Sequence, residues 1–184
     1  MLLYYILFAF PFMALASALL YLPYALYSRC RYGKQSIFFH LPKYALLGYV
    51  LSLIYLTILW YYPNITFHPD HYFLNLRPFV WVTECYAMGF QKMVMQLLLN
   101  IAMFVPYGFL LPAASRKVRR GWKTALAVLL TTVSIETLQY FMGRSADIDD
   151  VIMNFTGGIA GYCLFLCFRR LFRGKKWWHT MLGA

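Results

Sequence analysis

Five stretches of this chain, 2–27, 44–62, 95–113, 123–142 and 150–171, are apolar over the length that a helix needs to cross a bilayer. About twenty mainly apolar residues cover the hydrocarbon thickness. The apolar excess is laid out in blocks, as membrane spans are and one large soluble core is not. Of the 184 residues, 62% are hydrophobic and only 12% charged, against roughly a quarter charged in soluble domains. The fold predicted is all-α: a polytopic transmembrane helix bundle of about five spans in a single membrane domain, 1–184. Pro11 and Pro23 fall in the first span, and Pro106 in the third, where it removes one backbone donor.

Charge sets the predicted orientation. The net charge is +11, and fourteen of the seventeen Lys and Arg lie in three clusters: Arg29 to Lys43, Arg116 to Lys123 and Arg169 to Lys176. Each abuts an apolar span, as in cytoplasmic loops of membrane proteins. The N-terminus is therefore predicted outside and the C-terminus cytoplasmic. All six acidic residues then fall outside or near the outer boundary, with only Arg77, Lys92 and Arg144 beside them. No RNA- or DNA-binding pattern is interleaved with the clusters, so nucleic acid is not an expected partner.

The four cysteines, Cys30, Cys85, Cys163 and Cys167, show no metal-ligand spacing and read as small hydrophobes. The N-terminal run lacks a basic segment ahead of it and is too long for a removable signal peptide, although Ala14, Ala16 and Ala18 imitate a cleavage site. The connector 63–94 is long enough for an interfacial or re-entrant segment. His68 and His71 lie in it beside Asp70 and read as solvated loop residues.

Four of the six acidic residues, Glu136, Asp147, Asp149 and Asp150, gather between spans four and five. Helix ends account for three of them. Gly143 ends one helix, Asp147 caps the next, and Asp150 takes its third position, where the helix dipole favours negative charge. That reading leaves Glu136 unexplained. It lies about 9 Å below the helix end, and a charge inside hydrocarbon must be neutralised, paired or placed in a wet cavity. Gln139 follows on its face. Asp150, Asn154, Gly157 and Gly161 share one stripe of span five, and Gln96, Asn100 and Tyr107 share another on span three. Glu136, Asn100 and Asn154 come out at similar depth, with Arg144 above them as counter-charge. A hydrogen-bonded packing network or an outward-facing polar pocket would each use such groups. Gly157 and Gly161 let span five approach a neighbour closely, and that face is where a homo-oligomer would form.

The pieces NLRPF at 75–79, NIAMFVPYGFLLP at 100–112, IETLQ at 135–139, Arg144 and DIDDVIMNFTGGIAGY at 147–162 together resemble the VanZ-like family of bacterial membrane proteins. The resemblance covers about 72–172, and spans one and two match only in kind. Arg77 stands where the pattern calls for an apolar residue. The resemblance implies a multi-pass protein of the bacterial cytoplasmic membrane. It also implies an association with resistance to teicoplanin, a lipid-tailed glycopeptide that acts on cell-wall precursors outside the membrane.

The expected function is binding of an amphiphilic molecule: a lipid-tailed antibiotic, a lipid-linked wall precursor or a membrane lipid. The ligand-binding residues would be Glu136, Arg144, Asp150, Asn154, Gln139, Asn100, Asp147 and Arg77. The alternative is an outer-leaflet enzyme acting on such a lipid, with Glu136 or Asp150 as general base and a metal held by Asp147, Asp149 and Asp150 as its chief variant. No Ser-His-Asp order, phosphate loop or HExxH motif occurs, so binding is favoured over catalysis, and no resident metal or cofactor is expected. Transport is the third possibility, and five spans without an internal repeat give it no visible two-fold architecture.

Overall fold

The computed structural model describes residues 10–59, 74–80 and 89–183. Five long helices dominate it: α1 (Phe10–Tyr32), α2 (Ile37–Thr57), α3 (Phe90–Ala114), α4 (Gly121–Phe141) and α5 (Ile148–Leu171). All five are long and apolar enough to cross a membrane. A short α6 (Lys176–Met181) follows, a 3₁₀ turn joins α3 to α4, and two-residue strands β1 (Leu74–Asn75) and β2 (Ala146–Asp147) pair in parallel. The expected bundle is present, but its helix ends depart from the apolar blocks, of which 2–9 and 60–62 lie outside the described residues. Span one continues to Tyr32 and carries Arg29 and Arg31 in its last turn, where cations suit the helix dipole. Span two starts at Ile37 because Ser36 caps it, its side chain accepting the Phe38 amide at 3.3 Å. Lys43 rides inside that helix by donating back to the Phe39 carbonyl at 2.6 Å.

Burial is inverted relative to a soluble protein. Phe12, Leu15, Leu19, Leu98, Leu129 and Leu164 are exposed, whereas Ser17, Thr124, Thr132, Glu136, Gln139 and Asn154 are buried. Apolar side chains on the outside suit lipid, while small and polar groups between helices supply close packing and hydrogen bonds. Phe104 and Val128 anchor the central core with Leu53, Tyr107 and Ile135.

The most extensive helix contact is α3 on α5. Added methyl groups show how close the two backbones come: a Cβ on Gly157 would lie 2.1 Å from the Ile101 carbonyl oxygen, and one on Gly161 2.0 Å from that of Val105. The close approach expected of these glycines is therefore made within the chain. α3 of the same chain covers this glycine face.

α4 begins in the second basic cluster and ends at the acidic turn, so that cluster and the turn lie at opposite ends of the bundle. At the basic end α6 folds back, placing Trp178, Met181 and Leu182 against Ala113 and Phe165.

Candidate functional site

The site is built where α4 hands over to α5. Gly143, at φ +75°, stops α4. The Arg144 amide returns to the Gln139 carbonyl at 3.0 Å and the Gly143 amide to that of Tyr140 at 3.1 Å, which is the Schellman arrangement. Asp147 then caps α5, its carboxylate accepting the Asp149 amide at 2.9 Å. Both helix ends fall where Gly143 and Asp147 predict them.

The parallel bridge places Asn75 opposite Asp147, and the Asn75 side chain donates to the Asp147 carboxylate at 3.2 Å. Asn75 also accepts the Arg77 amide at 3.1 Å. Asp149, buried, accepts the Phe79 and Val80 amides at 2.6 and 2.9 Å. One carboxylate thus secures a segment whose Phe79 has φ +65°, a conformation uncommon for a bulky residue.

Inward of this clasp, Glu136 accepts the Asp147 amide at 3.2 Å and is only 6% exposed. Asn100 of α3 donates to Asp150 at 2.5 Å. Gln139 and Arg144 both donate to the Thr57 carbonyl at the end of α2, at 3.0 and 2.9 Å. Arg144 lies within electrostatic reach of Glu136 and Asp150, and Asp147 is close to both. Asn154 donates through its side-chain nitrogen to Thr132 at 3.2 Å, and its side-chain oxygen is buried without a partner.

Glu136, Gln139, Arg144, Asp147, Asp150 and Asn100 meet at the acidic end, and Asn154 joins α5 to α4 through Thr132, one helical turn from Glu136. Gln96 is exposed, and Tyr107 turns to Thr131 of α4, at 2.7 Å. Arg77 is exposed on the 74–80 segment. His68, His71, Asp70, Glu84 and Cys85 lie outside the described residues.

The three aspartates do not converge as a metal site. Their oxygens are directed to Asn75, to Phe79 and Val80, and to Asn100. No group of three or more His, Cys, Asp or Glu among the described residues is placed to hold a metal.

Beside this network, on the outer side of α4 and α5, lies a hollow of about 320 Å³. Leu74, Leu76, Val133, Phe141 and Val151 supply apolar wall, and Glu136 and Asp147 supply polar lining. Its rim residues Val133, Thr137 and Phe141 are exposed on the surface that faces lipid in a membrane helix. Residue spacing alone did not reveal three parts of this arrangement. Asn75 falls within the NLRPF piece, but nothing in its spacing points to Asp147. The Thr57 acceptor is a backbone atom without a sequence signature, and Asp149 had a sufficient explanation as a helix-terminal charge.

Five apolar helices, a lipid-suited exterior and polar groups bonded between helices define a multi-pass membrane protein. The chain belongs to the VanZ/LLP1 family, whose model matches residues 44–170. The match starts in α2, upstream of the 72–172 region picked out by its motifs. No curated protein and no solved structure matches the chain.

Proposed function

We propose that this VanZ-family protein binds an amphiphilic envelope molecule in the hollow beside Glu136, with the acidic end facing outward from the bacterial cytoplasmic membrane. One observation carries the reading: a buried carboxyl group lines a lipid-facing hollow whose walls are otherwise mainly apolar. An acyl chain suits those walls, and the carboxyl side suits a hydrogen-bond donor or amine of a headgroup. The segregated basic end supports the orientation, because positive clusters stay cytoplasmic. Arg144, held on Thr57 near Glu136 and Asp150, balances the site's negative charge. Arg77, exposed next to the lining residue Leu76, would meet an anionic part of the ligand.

Binding of a lipid-tailed glycopeptide, or of the lipid-linked precursor that it targets, would connect this site to teicoplanin resistance. Native mass spectrometry of gently extracted protein tests the reading. The wild type should retain a co-purifying amphiphile that Glu136→Gln loses, while Leu129→Ala, on the exposed face of α4, retains it. Glutamine keeps an acceptor for the Asp147 amide, so loss of ligand would not simply report loss of fold. In cells, Glu136→Gln and Arg144→Ala should lose any teicoplanin protection at normal membrane abundance. Equal retention by wild type and Glu136→Gln, or undiminished protection by both variants, would overturn the proposal.

A further inference from the structure

The opposite end of the bundle holds a second charged arrangement. The segments 29–43, 113–123 and 166–183 contain no Asp or Glu. Positive-inside topology explains the sign and number of their charges, but not a convergence of four cations from three elements. Arg119, half-buried before α4, donates to the Pro112 and Leu182 carbonyls, each at 3.0 Å. Arg116 donates to the Gly183 carbonyl. Lys43 from α2 lies over the Phe39 ring that Gly183 approaches, beside the Leu182 and Gly183 carbonyls that Arg119 and Arg116 hold. Arg169 in the last turn of α5 adds its charge to the repulsion on Arg119.

The fold holds Lys43, Arg116 and Arg119 in place. α6 is fixed by its buried Trp178 and Met181, and Gly183 packs toward the Phe39 ring. Lys43 is further held over that ring, 3.5 Å from its centroid. Like charges pressed together in a partly buried setting are unfavourable without a counter-ion. Trp177 and Trp122 are exposed at the same end, where tryptophans mark the level of lipid headgroups.

We propose that Lys43, Arg116, Arg119 and Arg169 form a cradle for the phosphate of an anionic phospholipid at the cytoplasmic surface. Guanidinium groups bind phosphate oxygens through paired, charge-assisted hydrogen bonds. The inner leaflet supplies anionic headgroups at this depth. The cradle is distinct from the Glu136 hollow, at the other end of the bundle, and stands whether or not that hollow binds a ligand.

Full-length protein in detergent, titrated with phosphatidylglycerol or with phosphatidylcholine of the same acyl chains and read by native mass spectrometry, tests it. The wild type should retain phosphatidylglycerol about tenfold better. Lys43→Gln/Arg169→Gln, which leaves Arg119 in its structural role, should lower that preference to about twofold or less. Arg173→Gln/Lys175→Gln, removing the same charge outside the cradle, should leave it unchanged. Equal retention of the two lipids by wild type would overturn the proposal, as would equal loss in the two double variants. Displacement of bound lipid by millimolar inorganic phosphate would also overturn it, by assigning the cradle to the free ion.

Discussion

Asp149, the second residue of α5, accepts the backbone amide of Phe79 at 2.6 Å across seventy residues of chain. A second bond, to Val80 at 2.9 Å, makes the carboxylate a two-point clamp. The clamp helps hold the segment that supplies Leu74 and Leu76 to the hollow. Asp149→Ala should destabilise the folded protein by about 2–3 kcal/mol, the scale for losing hydrogen bonds to a buried charged acceptor. Phe79→Gly should raise the midpoint, because glycine takes positive φ without steric cost. Thermal unfolding in detergent measures both, and a neutral Asp149→Ala would contradict the clamp.

The α3–α5 contact makes a sharper prediction. A Cβ on Gly157 or Gly161 would press against a backbone carbonyl of α3, and backbone cannot turn aside as a side chain does. Gly157→Ala and Gly161→Ala should each cost about 1–3 kcal/mol and reduce the yield of folded protein. Gly174→Ala is the control: nothing lies within 4 Å of its added methyl, and stability should stay within about 0.5 kcal/mol. Size-exclusion profiles and unfolding midpoints read the outcome.

Much of this organisation was legible in the sequence. Gly143 and Asp147 act locally, through chain reversal and capping, and their places could be read from residue type. Glu136 announced itself by depth. Helix ends were less visible because hydropathy falls at the first charge, whereas the backbone ladder continues. Ser36 starts α2 well before its apolar block, and Tyr32 ends α1 beyond two arginines. The Asn75–Asp147 pair joins residues 72 apart, so no periodicity could join them. The small residues of α5 forecast a close neighbour, but only the packed chain identifies it as α3.

Arg144 and Gln139 converge on one carbonyl, that of Thr57. Removing either leaves the other in place, so their effects should be less than additive. A double-mutant cycle with Arg144→Ala and Gln139→Ala should give a coupling of about 0.5–3 kcal/mol. Arg144→Ala alone should be the more damaging, because Glu136 and Asp150 lose a nearby positive charge. Strict additivity in unfolding midpoints would show that the two side chains act independently.

Gly143→Ala tests the turn that delivers Asp147 to its cap. Alanine at φ +75° should cost about 1 kcal/mol and lower the unfolding midpoint without altering helix content. Circular dichroism separates the two effects; an unchanged midpoint would mean that the turn does not need the left-handed residue.

The central claim, an amphiphile seated against Glu136, is tested most directly by placing a photo-crosslinking amino acid at Thr137, on the exposed rim of the hollow. Intact-mass spectrometry after illumination in native membranes should show a discrete amphiphile adduct. That adduct should vanish when Glu136→Gln is added and be absent when the probe is at exposed Leu129 of the same helix. The same adducts from both positions, unaffected by Glu136→Gln, would show only bulk lipid at the hollow and contradict the account.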